Sequence, residues 1–282
     1  MPNRVGGAGR IIARRGVGAG TSHAMHWILQ NNIYNESGFD DLVGTLERLG
    51  LPFSLHKVIP FVGELEPEPV LHEERVVVMG SYTLARAAQR RGWQPGAWLD
   101  NLDFSIQREH WGAAMLNHDA EVVPLGEIAE RPEPFFLRPV TDTKSFAGRV
   151  FDWPTYLEWR ERLRALTAED RPEVWLDTAV MVCSKKEIWS ETRLWMVDGR
   201  VATASGYKQG TLVRSSPPEA VDARVLELAA ARAAEWSPNR AYVMDIAETP
   251  DGLKIIEVNN LNSAGWYKAD LSRLVTALEA MP

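Results

Sequence analysis

The sequence predicts an α+β protein built from a small N-terminal α/β domain and two further mixed lobes. Three observations carry this. A chain of 282 residues is too long for one ordinary core and suits two or three packed lobes. Residues 25–100 order strand, helix, strand, strand, turn, helix, with one continuous apolar strand suited to a buried parallel sheet. The rest of the chain carries two hairpin signals, Asp198-Gly199 and Pro250-Asp251-Gly252, separated by helical patterns.

Composition narrows the function classes. The chain is 45% hydrophobic and 24% charged, as in an ordinary globular protein rather than a disordered one. It has no run of about 18 apolar residues, so no membrane span is expected. A single cysteine, Cys183, excludes a disulfide framework and a thiolate zinc cluster. A net charge of −7 argues against broad nucleic-acid binding, which needs a basic surface. Residues 1–24 hold Arg4, Arg10, Arg14 and Arg15, no acid and no apolar period. They read as a disordered lead-in, with a targeting peptide as the rival reading, and the cytoplasm is the expected location.

In chain order, His26–Gln30 is an apolar strand. Phe39, Leu42, Val43, Leu46 and Leu49 recur at helical spacing until Gly50 stops the helix. Phe53–Val58 and Arg75–Met79 are strands, the second apolar throughout. Gly80-Ser81 turns into a helix ending near Gly92, without the G-x-S-x-G spacing of a nucleophile elbow. A second unit, residues 101–183, holds a helix from Gln107 to Leu116 and strands at Glu121–Pro124 and Phe135–Pro139. A loop with Lys144 and Gly148, a helix from Pro154 to about Leu166 and a strand from Val174 to Cys183 complete it. A third unit, residues 184–282, holds the hairpin Thr192–Val197 with Arg200–Tyr207, a helix from Pro217 to Trp236, the hairpin Tyr242–Ala247 with Leu253–Val258, and a helix from Asp270 to Ala280.

The last hairpin carries chemistry. A three-residue Pro250-Asp251-Gly252 loop sets Thr249 against Leu253 and Asp245 against Glu257. Glu257 and Asn259 share a face by strand alternation, and cross-strand neighbours lie about 5 Å apart. Asp245, Glu257 and Asn259 therefore converge. Carboxylates directly opposite one another among Val243, Met244, Ile246, Ile255, Ile256 and Val258 are costly unless compensated. A divalent cation compensates them, and an all-oxygen set favours magnesium or manganese. The bland alternative is a carboxylate pair held by backbone or by an arginine. Magnesium held by few protein ligands keeps positions for phosphate oxygens. Arg138, Lys144, Arg193 and Lys208, at strand ends or in apolar strands, are the candidate cations for a polyphosphate. No Walker-type loop is present.

With these residues in place, the chain resembles the ATP-grasp superfamily over most of Glu121 to Lys268. The sharpest likeness is Asp245-Ile246-Ala247 followed by Lys254 to Gly265. Phe136-Leu137-Arg138-Pro139 with Lys144 to Gly148 is similar to the strand and phosphate loop of the first ATP-grasp lobe. Arg138 stands where most relatives have Lys, which is similar to the clade defined by one Arg and two Lys; Arg138, Lys144 and Lys208 fill those places. The resemblance implies two lobes clasping ATP, residues 101–183 and 184–282, behind a domain of residues 25–100 that helps bind the acceptor. It implies magnesium, or manganese, on Asp245, Glu257 and Asn259. It implies a hinge at Met181-Val182-Cys183-Ser184 reading adenine through its backbone, and Glu191 near the ribose. Arg193 and Lys144 are the implied catalytic cations, Arg193 steadying an acyl phosphate because Val243 occupies the place of an arginine found in some relatives. Asn262 and Ser263, in the loop after the metal strand, are the implied acceptor contacts. The implied reaction is ATP-dependent ligation of a carboxylate to an amine or thiol, with a small molecule, amino acid, peptide or protein as acceptor. A kinase of the same fold and a non-catalytic nucleotide-binding module are the alternatives.

Overall fold

A computed structural model describes residues 24–33, 38–141, 146–167 and 174–282. The expected lead-in lies outside these residues, except Ala24. The first sheet is built from β1 (His26–Gln30), β2 (Phe53–Val58), β3 (Leu65–Glu66), β4 (Arg75–Met79) and β5 (Gln94–Gly96), with helices α1 (Phe39–Leu49) and α2 (Tyr82–Arg91). Its order is β3-β2-β1-β4-β5, parallel except for β3. Alternation divides its two faces. Trp27, Leu29, Val77 and Met79 pack with Leu42 and Leu46 of α1, whereas Ile28, Val76 and Val78 pack with Leu84, Ala87 and Ala88 of α2. Gly50 closes α1 in the left-handed region at φ 67°, where a residue without Cβ has no steric penalty.

Helix α3 (Phe104–Trp111) leads into a four-stranded antiparallel sheet. Its strands are β6 (Glu121–Pro124), β7 (Phe135–Pro139), β8 (Arg149–Phe151) and β9 (Ala179–Ser184), in the order β6-β9-β7-β8, with α4 (Trp153–Arg164) between β8 and β9. The third sheet contains β10 (Ser190–Val197), β11 (Arg200–Gln209), β12 (Leu212–Ser216), β13 (Ala241–Thr249) and β14 (Gly252–Asn259), in the order β12-β11-β10-β13-β14 and antiparallel throughout. Helix α5 (Ala223–Glu235) packs on one face of this sheet with Leu194, Met196, Tyr242 and Met244. Helix α6 (Leu271–Glu279) lies on the other, where Trp195, Val197 and Val243 join the core beneath α1. Among the described residues no helix is long and apolar enough to cross a membrane.

Several boundaries differ from the sequence reading. Helix α3 begins at Phe104, capped by the Asp103 side chain, not at Gln107. The strand expected from Val174 starts only at Ala179, because Thr178 closes a turn onto Trp175. Helix α5 starts at Ala223, capped by Asp222; the segment before it is a short 3-10 turn at Pro218–Ala220 preceded by β12, a strand not expected from the sequence. A strand as exposed as Leu212 and Val213 make it shows no burial alternation to read.

Candidate active site

The β13–β14 hairpin differs from expectation at both ends, and the two differences cancel. Thr249 pairs with Gly252, so the loop is two residues long rather than three. The register then shifts between Ile246–Ile255 and Asp245–Glu257, leaving Ile256 as an extra residue. Such a bulge twists the strand and re-aims its side chains. Asp245 therefore faces Glu257 as the sequence suggests.

Asp245 is 1% exposed. Arg193, directly opposite on β10, holds it with two parallel bonds, Nε to Oδ1 at 2.9 Å and Nη2 to Oδ2 at 2.8 Å. Asn259 Nδ2 donates to Glu257 Oε1 at 2.8 Å and to Asp245 Oδ2 at 3.3 Å. Arg138 crosses from β7 and donates from Nη1 to Glu257 Oε2 at 2.7 Å, with its Nε on the Met181 sulfur and its guanidinium over the Phe104 ring. Five side chains thus form one chain, Arg193–Asp245–Asn259–Glu257–Arg138, joining the second sheet to the third. Burial raises the Asp245 carboxyl above the ordinary carboxylate range, against the opposing pull of Arg193. Burial works against the Arg193 charge as well, but Asp245 overrides it and holds the guanidinium above its ordinary value.

A second bulge, between Glu191 and Thr192, leaves Tyr207 as an extra residue on β11. Consecutive residues Tyr207 and Lys208 consequently both reach Glu191, the hydroxyl donating to Oε2 and the ammonium to Oε1, each at 2.5 Å. The Tyr207 ring stacks on Tyr267 with centroids 5.0 Å apart, and the Arg193 guanidinium lies 5.5 Å and 5.2 Å from the two rings. Burial, then the Asp245 and Glu191 carboxylates, push the Tyr207 hydroxyl well above its ordinary pKa. Neither tyrosine stands out in the sequence: a bulge leaves no periodic signature, and Tyr267 adopts φ 48°, which no turn residue type at that position announces. Beyond Glu191 lies a cavity of about 180 Å³, lined by Thr192, Lys208, Arg214, Ile246 and Leu253 among others.

The remaining expected site residues fall elsewhere. Lys144 lies outside the described residues. Met181 and Val182 are interior to β9, laddered to β6 on one side and to β7 on the other, so their backbone groups are engaged in the sheet. This corrects the expected hinge. Cys183 pairs with Phe136, and its thiol donates to Asn117 Oδ1 at 3.2 Å; burial pushes that thiol up to about 11. The segment linking the second and third sheets is 185–189, after Ser184. Asn262 is corrected as well. It is 1% exposed, and its amide is engaged with the first sheet: Nδ2 donates to the Val78 carbonyl at 2.7 Å and the Gly96 carbonyl at 3.2 Å, while Oδ1 accepts from the Trp98 N–H at 3.0 Å and from Asn260 Nδ2 at 3.4 Å. No lone pair or proton is left for an acceptor. The Ser263 hydroxyl and N–H both donate to Asn260 Oδ1, closing a local turn.

Two buried carboxylates and one amide meeting within hydrogen-bond reach are an oxygen donor set suited to a hard divalent cation. Among the described residues no group of three or more His, Cys, Asp and Glu is arranged for a metal, so the third oxygen of such a set is the Asn259 amide. Its Nδ2 faces the carboxylates here; turning the amide over presents Oδ1 instead.

Comparison with known proteins agrees with this geometry. A family profile matches residues 57–278; it describes an ATP-grasp domain, the third family of the clade with one Arg and two Lys. No curated protein sequence matches the chain. Among solved structures, the chain is similar to a RimK domain protein ATP-grasp from Sphaerobacter thermophilus DSM 20745, with TM-score 0.58 and 16% identity over 89% of this chain and 98% of that one. It is similar to the ATP-grasp ligase PsnB complexed with a phosphomimetic variant of its minimal precursor, Mg and ADP, with TM-score 0.51 and 13% identity over 95% and 99% of the two chains. It is also similar to D-alanine–D-alanine ligase from Bacillus anthracis complexed with ATP, with TM-score 0.55 and 11% identity over 91% and 96%. At these identities the likeness is one of fold.

Proposed function

Because the chain belongs to the ATP-grasp superfamily, in the third family of its one-Arg, two-Lys clade, we propose that it is an ATP-dependent ligase that joins a carboxylate to an amine through an acyl phosphate. The observation that carries the reading is the buried Asp245–Asn259–Glu257 group, clamped between Arg193 and Arg138. Asp245, Glu257 and Asn259 hold magnesium, or manganese, which supplies charge neutralisation for the phosphates. Arg138, Lys144 and Lys208 contact the phosphates, and Glu191 lies on the nucleoside side. The adenine-reading backbone is assigned to the connecting segment 185–189 rather than to Met181 and Val182.

In the first step a carboxylate oxygen attacks the γ-phosphorus, the bond to the bridging oxygen breaks, and ADP leaves with the electron pair. Arg138 and Arg193, freed from their carboxylates by the incoming charges, spread the negative charge that develops on the phosphoryl oxygens. In the second step the amine lone pair attacks the acyl carbon, phosphate leaves with the electron pair, and the nitrogen releases a proton. A peptide acceptor is favoured over a free amino acid by the likeness to PsnB, which is solved with precursor peptide PsnA2 and AMPPNP.

The test is acceptor-dependent release of ADP, with product mass, from libraries of peptides and amino acids. Asp245→Asn and Glu257→Gln are expected to lower it about a hundredfold or more while circular dichroism stays unchanged. Full ADP release by either variant sinks the site assignment. A stable phosphorylated acceptor identifies a kinase instead, and tight ATP binding without any ADP identifies a binding module.

A further inference from the structure

Far from the nucleotide-side residues, the first sheet buries a hydrogen-bonded chain of ionisable groups. The Ser54 hydroxyl sits between two imidazoles, 2.7 Å from His26 Nε2 and 2.7 Å from His56 Nε2. His26 Nδ1 lies 3.1 Å from Glu73 Oε2, and His56 Nδ1 lies 2.6 Å from the Pro67 carbonyl oxygen. His26 and His56 are 7% and 2% exposed. Both ends of the chain are acceptors: the Pro67 carbonyl always, and the Glu73 carboxylate whenever it is ionised.

A proton count follows. Four contacts link the five groups, and each needs one hydrogen. Two neutral imidazoles and one hydroxyl supply three between them. Pro67 fixes the His56 hydrogen on Nδ1, and Glu73 fixes the His26 hydrogen on Nδ1. Both Nε2 atoms are then acceptors, and Ser54 has one proton for two of them. The neutral chain always leaves one imidazole facing a hydroxyl oxygen with lone pair against lone pair. One added proton removes the mismatch. It sits on either Nε2 and donates to Ser54 Oγ, while the hydroxyl turns to donate to the other ring. A second proton points both Nε2–H groups at one oxygen, leaves the hydroxyl hydrogen without an acceptor, and places two cations on either side of it.

We infer that Glu73, His26, Ser54, His56 and the Pro67 carbonyl form a buried site for one proton, shared between the two rings through the Ser54 hydroxyl. The surrounding charges bias where the proton rests. Glu73 draws it toward His26 and His72 opposes this; Glu68 draws it toward His56, and Arg91 on α2 opposes that. Burial, the largest influence on each ring, pushes both imidazoles below their ordinary value of 6.5, so the proton enters on mild acidification.

The experiment is a pH titration of the intact chain with 15N-labelled histidine, reading the ring nitrogens by NMR. Single His→Gln variants assign the resonances, and backbone amide dispersion confirms that the protein stays folded. The expected result is one shared midpoint at which both Nε2 resonances move part of the way toward the imidazolium position, the two fractions summing to about one proton. In Ser54→Ala the shared midpoint is expected to split into two separate ones. A native chain in which each ring takes up a full proton, in which only one ring responds, or in which Ser54→Ala leaves the midpoints coincident overturns the inference.

Discussion

Asn262 shows how much one buried side chain can hold. Its amide joins the loop after β14 to three backbone groups of the first sheet region, Val78, Gly96 and Trp98. Asn262→Ala leaves those groups buried without a partner, and an unsatisfied buried polar group costs about 1–3 kcal/mol. The expected loss for the variant is about 2–3 kcal/mol, read by urea denaturation, with little change in KM for the acceptor. A role in acceptor binding would reverse that pattern. The sequence could not separate the two possibilities, because an asparagine in a turn looks the same whatever distant carbonyl it reaches. Asp245 and Glu257 were legible for the opposite reason. Their partners are fixed by alternation and by a nearby loop, both local. The loop is one residue shorter than expected and Ile256 is one residue extra, so two local miscounts left the pair intact.

At the level of elements, β7 and the segment entering β8 meet at Gly148. A Cβ there would lie 2.6 Å from the Phe136 ring and 3.1 Å from the Arg138 Cβ. The absent side chain lets this segment lie flat against the strand that aims Arg138 at Glu257. Gly148→Val is expected to cost about 1–3 kcal/mol through overpacking and to displace Arg138, raising KM for ATP about tenfold, since each tenfold corresponds to about 1.4 kcal/mol. Steady-state kinetics alongside thermal unfolding check this; an unchanged KM with lowered stability would detach Gly148 from the site. Elements with strong local signals were readable, as Asp198-Gly199 shows. Both residues take positive φ, 46° and 73°, as a two-residue hairpin turn requires. Strand β12 and the Tyr207 bulge were not, since neither exposure nor a one-residue irregularity repeats along the chain.

Across the whole molecule, the two lowered histidine pKa values give stability a pH dependence. The unfolded chain takes up protons near the ordinary value of 6.5, while the folded chain resists until lower pH. Folded stability is therefore full above 6.5 and is lost as pH falls through the lowered values. The slope is about 1.4 kcal/mol per pH unit for each proton that the unfolded chain binds in excess. Urea denaturation at pH 7.5 and 5.5 checks the sign, and His56→Gln is expected to shrink the difference. A larger loss in that variant would assign the dependence to other groups.

Glu279 at the end of α6 accepts from the Met25 N–H at 3.0 Å and from the Trp27 indole at 2.6 Å, and Leu274, Val275 and Leu278 close the core over Trp27 and Leu29. The opening strand is thus completed by the final helix. During synthesis, the first sheet must wait, with one apolar face bare, until that helix leaves the ribosome. Nascent chains cut short before Leu271 are expected to recruit chaperones or be cleared by proteases rather than to accumulate as a folded N-terminal fragment.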